Sequence, residues 1–110
     1  MQSKKKQTMQ LKEYTHDLLK QGKTDQAIRE LTALLENEET TTHNISNLIP
    51  ANKDEIHYLL GNAYYKLGEW KEAIQHYLEA CENNAESPAR EKLKMTYSIL
   101  EFYNKDIYGQ

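Results

Sequence analysis

Apolar and small residues recur at steps of three and four along most of the chain, which is the period of a helix with one buried face. Two such series lie between residues 54 and 87, separated by Gly68. Their members are Ile56, Leu60, Ala63, Tyr64 and Leu67, followed by Ala73, Ile74, Tyr77, Leu78 and Ala80. A left-handed glycine can end one helix and let the chain reverse. The pattern therefore predicts two antiparallel helices joined by a tight turn.

A weaker copy of this hairpin precedes it. The stretch QGKTDQAIREL around Gly22 aligns with LGEWKEAIQHY around Gly68, so that Ala27 corresponds to Ala73. Apolar residues of helical spacing again flank the glycine: Leu11, Tyr14, Leu18 and Leu19 before it, and Ala27, Ile28, Leu31, Leu34 and Leu35 after it. Thr24 or Asp25 is a candidate cap for the second helix. The first 36 residues therefore predict a second helix hairpin.

A fifth helix is predicted after Ser87-Pro88, where serine can cap the helix and proline suits its first turn. Leu93, Tyr97 and Leu100 then repeat the spacing of the earlier apolar series, and the chain ends ten residues after Leu100. We therefore expect no partner helix after it, and predict that it covers the apolar edge of the second hairpin. The five predicted helices span residues 8–21, 24–36, 53–67, 70–84 and 88–105, an all-α fold.

The second hairpin resembles a known repeat. The motif Leu60-Gly61-x-x-Tyr64, followed by Ala73 and Tyr77, is similar to the tetratricopeptide repeat (TPR) signature, whose period is about 34 residues. The resemblance implies a short right-handed α-solenoid of two TPR-like hairpins plus a capping helix. It also implies a module for protein–protein interaction, similar to small stand-alone TPR proteins of bacteria.

The two copies are 46 residues apart, so about twelve residues are inserted relative to abutting TPR repeats. This assigns repeat 1 to residues 8–41, an inserted loop to 42–53, repeat 2 to 54–87 and the capping helix to 88–105. We expect residues 37–44 to be mobile and Ile45, Leu48 and Ile49 to dock on the helices. Asn52 followed by Glu55 resembles a capping box that restarts the helix.

Composition narrows the classes of partner. The net charge of −3 argues against nucleic acid, which usually requires a concentrated basic face. A single cysteine, Cys81, excludes an intramolecular disulfide and is compatible with a reducing cytoplasm. No run approaches the roughly 18 apolar residues of a membrane span, and no apolar run follows Lys4-Lys5-Lys6, so we expect neither a span nor a signal peptide.

No residue pattern points to catalysis, a cofactor or a metal. Glu72 and His76 have the i,i+4 spacing of two metal ligands, but a solvated surface pair is the better interpretation. His57 takes the place of the signature tryptophan, which favours a half-buried packing role. Cys81 has neither a histidine nor a cation beside it in the sequence, as a reactive thiol would. The glycines are isolated and form no phosphate-binding loop. We therefore expect a protein that is not an enzyme.

Two functional hypotheses remain. The first is a binding module that holds a peptide or partner helix in a groove formed by the first helix of each repeat. The predicted groove residues are Lys12, His16, Leu19 and Lys20 from the first helix and Tyr58, Asn62, Tyr65 and Lys66 from the third. The TPR resemblance implies that Lys12 and Asn62 could hold a terminal carboxylate, but Glu91 and Met95 stand where a basic pair would complete that clamp. An ordinary solvated face of lysines is the alternative.

The second hypothesis is self-association, since two repeats fall short of the three or so that a solenoid needs to bury its core. Met95, Ile99 and Phe102 form a second apolar stripe on the fifth helix, nearly opposite the first stripe. This stripe could be one wall of the partner groove or the surface of a homodimer. Alternatively, another part of the same chain could cover it.

Overall fold

The structure, a computed structural model, describes residues 10–36 and 52–108, with side chains to residue 103. Five helices lie within these residues: α1 (Leu11–Lys20), α2 (Thr24–Leu35), α3 (Lys53–Leu67), α4 (Trp70–Asn83) and α5 (Ala89–Tyr108). They agree with the predicted helices to within three residues at each end. The predictions for residues 37–51, including the mobility of 37–44 and the docking of Ile45, Leu48 and Ile49, lie outside the described residues.

The two hairpin turns have the same geometry. Gly22 and Gly68 both adopt the left-handed conformation, at φ of 80° and 78°. In each turn the residue after the glycine donates its N–H to a carbonyl five positions earlier: Lys23 to Leu18 at 2.8 Å and Glu69 to Tyr64 at 3.0 Å. This pattern is a standard way to satisfy the last carbonyls of a helix. It confirms that the two stretches are copies of one hairpin.

The predicted helices begin at the expected positions, but only some of the predicted capping side chains make a capping hydrogen bond. Helix α2 begins at Thr24 itself, after Lys23, and has no side-chain cap. Asn52 is the cap residue of α3, but its side chain makes no capping hydrogen bond, so the expected capping box is not formed. Before α5, the Ser87 hydroxyl accepts the N–H of Ala89 at 3.1 Å. The serine therefore caps that helix as predicted.

Helix α3 lies between the two halves of the core. On one side a buried cluster joins α1, α2 and α3: Leu11, Leu31, Ile56, Leu59 and Leu60. On the other side a second cluster joins α4 and α5 and includes Ala73, Tyr77, Ala80 and Ala89. Ala27 and Ala73 are completely buried, as expected where paired helices approach most closely.

The Tyr77 ring of α4 lies directly against the backbone of α3 at Gly61. A Cβ atom added there would lie 2.5 Å from Cε1 of Tyr77, far inside ordinary van der Waals contact. The Tyr77 ring therefore occupies space that any other residue at position 61 would fill. Glycine at this point in α3 allows the two helices to pack with a tyrosine between them.

Three residues assigned to the buried face are in fact exposed. Leu67 is the last residue of α3, Leu78 points away from the buried face of α4, and Tyr97 is 47 % exposed. On α5 the fully buried residues are Ala89 and Thr96. They are two helical turns apart and share a face, whereas Tyr97 is rotated by about 100° from it. Leu93 packs against the second cluster as predicted, and Leu100 is half-buried. The predicted stripe is therefore wrong only at Tyr97, whose place in the contact is taken by Thr96.

We expect Gly61→Ala to destabilise the protein by about 1–3 kcal/mol, because the new methyl group overlaps the Tyr77 ring. Without that overlap, alanine in a helix would be more favourable than glycine by up to about 1 kcal/mol. The sign of the change in urea-unfolding free energy therefore tests the contact directly.

The matched control is the double variant Gly61→Ala/Tyr77→Leu. The first hairpin has Leu31 at the position of Tyr77, so leucine fits this fold and leaves room for the methyl group. The double variant should lose less stability than the sum of the two single variants. Additive losses would show that the ring does not rest on Gly61.

Candidate functional site

An open groove of about 440 Å³ lies between α1 and α3. Its lining comes from both helices: Lys12, Glu13, Thr15, His16, Asp17 and Leu19 from α1, and Tyr58, Leu59 and Asn62 from α3. The first helices of the two hairpins therefore form a shared concave surface.

Helix α1 presents its lining residues because its other face is buried. Leu11 and Leu18 lie in the core, and Thr15 is buried between them with its hydroxyl donating to the carbonyl of Leu11 at 3.0 Å. With that face occupied, Lys12 and His16 point outward and are exposed. The groove therefore has an apolar edge beside a row of charged and polar side chains.

Asn62 is held in the groove by the second hairpin. The Tyr77 hydroxyl donates to Asn62 Oδ1 at 2.6 Å. Burial raises the pKa of Tyr77, and Tyr58 and Tyr65 raise it further, so the hydroxyl keeps its proton over the physiological range. Asn62 Nδ2 has no hydrogen-bond partner among the described residues and can donate to a ligand.

The structure brings together five of the predicted binding residues: Lys12, His16, Leu19, Tyr58 and Asn62. The remaining six do not line this groove: Lys20, Tyr65, Lys66, Met95, Ile99 and Phe102. Two acidic residues, Glu13 and Asp17, were missed by the sequence analysis. They directly follow Lys12 and His16 in the helix, so the exposed face of α1 could have indicated them.

Tyr65 does not line the groove and contacts the start of α4 and the capping helix. Lys92 Nζ lies 4.4 Å from the centre of its ring, and Trp70 meets it edge-on with the ring centres 5.3 Å apart. A cation over an aromatic face is stabilising. Tyr65 therefore helps to fix α5 on the second hairpin.

The second apolar stripe of α5 is largely open to solvent. Met95 is 50 % exposed and Phe102 is 66 % exposed, while Ile99 is half-buried. The Phe102 ring makes an edge contact with Tyr103, which is also exposed. Among the described residues, nothing covers the outer part of this stripe.

A histidine pair joins α3 to α4. His57 is buried, and its Nδ1 atom lies 3.0 Å from Nδ1 of His76. Its other ring nitrogen, Nε2, is 3.2 Å from a carboxylate oxygen of Glu79. The Tyr64 ring stacks on His76, nearly parallel at 5.5 Å between centres.

The described residues contain no group of three or more side chains arranged to hold a metal.

This pair was not predicted from the sequence, because each histidine was considered only within its own helix. His76 was assigned to a solvated pair with Glu72, and His57 to packing. The signal was available in the hairpin itself, since residues at similar distances before and after Gly68 must lie side by side in antiparallel helices.

Cys81 lies in a different setting from the one its sequence neighbours suggested. It lines a second groove of about 370 Å³ between α4 and α5. Arg90 and Lys94, which are not its neighbours in the sequence, line the same groove. Within the described part of the chain, no helix is long and apolar enough to cross a membrane.

Comparisons with known proteins agree with this architecture. Residues 16–88 match the family model of a tetratricopeptide repeat, a range that includes the turn of each hairpin. A Bacteroides fragilis protein, solved by solution NMR, is 42% identical to this chain, with a TM-score of 0.69. The alignment covers 92% of this chain and 90% of that one. No curated protein matches the chain.

We expect Tyr77→Phe to cost about 0.5–1.5 kcal/mol of stability, because it removes the hydrogen bond to Asn62 and keeps the ring. A thermal or urea melt measures the loss, with the exposed Tyr97→Phe as the control that should change nothing. In a double-mutant cycle, Tyr77→Phe should cost little once Asn62 is alanine. An undiminished cost there would argue against the bond.

Proposed function

Because the chain belongs to the tetratricopeptide repeat family of protein-interaction modules, we propose that it binds a peptide or partner helix in the groove between α1 and α3. The observation that carries this proposal is the groove itself, which combines an apolar surface with polar groups from both helices. The family is typically non-enzymatic, and we propose a non-catalytic role here.

The size of the groove suits a few side chains of a partner. A volume of about 440 Å³ is at the lower end of the range for ligand pockets, roughly 300–1,000 Å³. Leu19 and Tyr58, which are both half-buried, supply apolar contact area. A peptide with one or two apolar side chains could bury them there while its backbone remains partly solvated.

The polar groups suit a ligand with hydrogen-bond acceptors. Asn62 offers an N–H group whose orientation is fixed by Tyr77, and Lys12 offers a cation. Glu13 and Asp17 add negative charge to the same lining, so the groove as a whole is of mixed sign. We therefore propose recognition of a mixed-charge peptide by its backbone carbonyls and apolar side chains, in preference to a purely acidic one.

Self-association through the stripe formed by Met95, Ile99 and Phe102 is a second candidate, favoured by the exposure of Met95 and Phe102. Its area limits it. A large aromatic residue buries roughly 150–250 Å², whereas a stable interface buries about 1,200–2,000 Å² in total. The stripe alone would therefore support a transient contact or an extension of the groove.

The groove is tested by selecting peptides from a displayed random library against the immobilised protein and mapping one by NMR. We expect the peptide to cause its largest chemical-shift changes in the protein at Lys12, His16 and Asn62. The variant Lys12→Glu/His16→Glu should weaken that peptide at least about tenfold. Lys71→Glu/Gln75→Glu, on the exposed face of α4, is the matched control. Shifts confined to α4 and α5 would contradict the proposal.

The stripe is tested by Ile99→Lys combined with Phe102→Glu. If it is a contact surface, the melting temperature should stay unchanged while any self-association seen by light scattering, or peptide binding, is lost. A clear fall in the melting temperature of the monomer would instead mean that these side chains belong to the core.

A further inference from the structure

We propose that His57 and His76 form a proton-operated clasp, which holds α4 against α3 when the pair carries at most one extra proton and opens when both rings are charged. The proposal concerns the stability of the second hairpin. It does not depend on what the groove binds.

The distance between the two rings determines how many protons the pair can carry while it stays closed. Two ring nitrogens 3.0 Å apart are at hydrogen-bond distance, and such a bond needs a hydrogen on one nitrogen and a lone pair on the other. In the neutral pair, His57 can donate Nε2–H to Glu79 while His57 Nδ1 accepts Nδ1–H of His76. Both interactions of His57 are then satisfied at once.

One added proton keeps the clasp closed, because it can occupy the outer nitrogen of His76 or shift along the bond while one hydrogen stays between the rings. A second added proton places N–H against N–H. It also brings the nitrogens of two cations within 3.0 Å of each other, and the two charges repel because the site is partly shielded from water. The pair must then separate.

The surroundings make this second proton unfavourable. On α4 the facing carboxylates are Glu79 and Glu72, and on α3 the other facing titratable group is Tyr64, stacked on His76. Burial lowers the pKa of His76 from its ordinary value, and the charge of His57 lowers it further, while both carboxylates act in the opposite sense. Among the described residues, α1, α2 and α5 supply no charge that acts on His76.

The direction in which pH changes the stability follows from the difference between the folded and unfolded pKa of His76. A histidine whose pKa is lower in the folded state than in the unfolded chain is less willing to take up a proton when folded. Its contribution to stability is complete above the unfolded value of 6.5 and is lost as the pH falls below it toward the folded pKa. The clasp therefore weakens under mild acid and is intact at neutral pH.

Opening would reach the groove through the neighbouring residue. Tyr77 follows His76 in α4, and its hydroxyl holds Asn62. A shift of α4 away from α3 that moves Tyr77 together with His76 would therefore release Asn62 as well. If the proposed peptide groove is correct, acid should weaken it by this route.

Thermal melts of wild type and His76→Asn from about pH 7.5 to about pH 5 test the clasp. Asparagine can still donate to His57 but cannot be charged. The wild type should lose several degrees more in melting temperature on acidification than His76→Asn. The control His16→Asn removes an exposed histidine on α1 and should follow the wild type. Parallel curves for all three proteins would overturn the proposal.

If His76→Asn does not fold, a measurement on the wild-type protein tests the clasp. Imidazole ¹⁵N spectra across the same range should show the two rings titrating as a coupled pair in two separate steps. Amide hydrogen exchange in α4 should accelerate with the second step. Two independent single-site curves near pH 6.5, with no change in exchange beyond the intrinsic effect of pH, would refute the clasp.

Discussion

The packing of the Tyr77 ring against the bare backbone of Gly61 sets the geometry of the second hairpin. No side chain larger than hydrogen fits at position 61 while the ring lies there. The ring is fully buried, and its hydroxyl extends past the glycine to Asn62. One contact therefore determines how closely α3 and α4 approach, and it also orients a polar group of the candidate groove.

The first hairpin solves the same packing problem with different residues. Thr15 occupies the position of Gly61, and Leu31 occupies that of Tyr77; both are buried. A larger residue on the first helix is thus matched by a smaller one on the second, so the total side-chain volume is conserved. Protein cores are close-packed and tolerate volume-conserving changes best. The first copy has no hydroxyl at this point to hold a groove residue, so the two halves of the groove are not equivalent.

The buried polar positions also correspond between the copies. Glu30 on α2 is equivalent to His76 on α4, 46 residues later. Glu30 accepts hydrogen bonds from the Tyr14 hydroxyl at 2.7 Å and from Gln26 at 3.1 Å, whereas His76 is paired with His57. Among the described residues no buried side-chain donor or acceptor lacks a partner. Each hairpin therefore carries a satisfied polar contact between its helices, and only that of the second hairpin consists of two titratable rings.

The sequence by itself determined the five helices, both reversals at glycine and the pairing of the helices into two hairpins, because helical periodicity and the left-handed glycine are local properties. It also placed Lys12 and Asn62 on the groove side, since that follows from which face is apolar. Only the tertiary structure decided that Thr96, and not Tyr97, is buried between α5 and the second hairpin, because the space available there depends on side chains that lie elsewhere in the chain. The contacts of Tyr77 with Gly61 and of His57 with His76 were likewise settled by the register between α3 and α4. That register depends on the fit of side chains from two helices, and no window of sequence along one helix contains it.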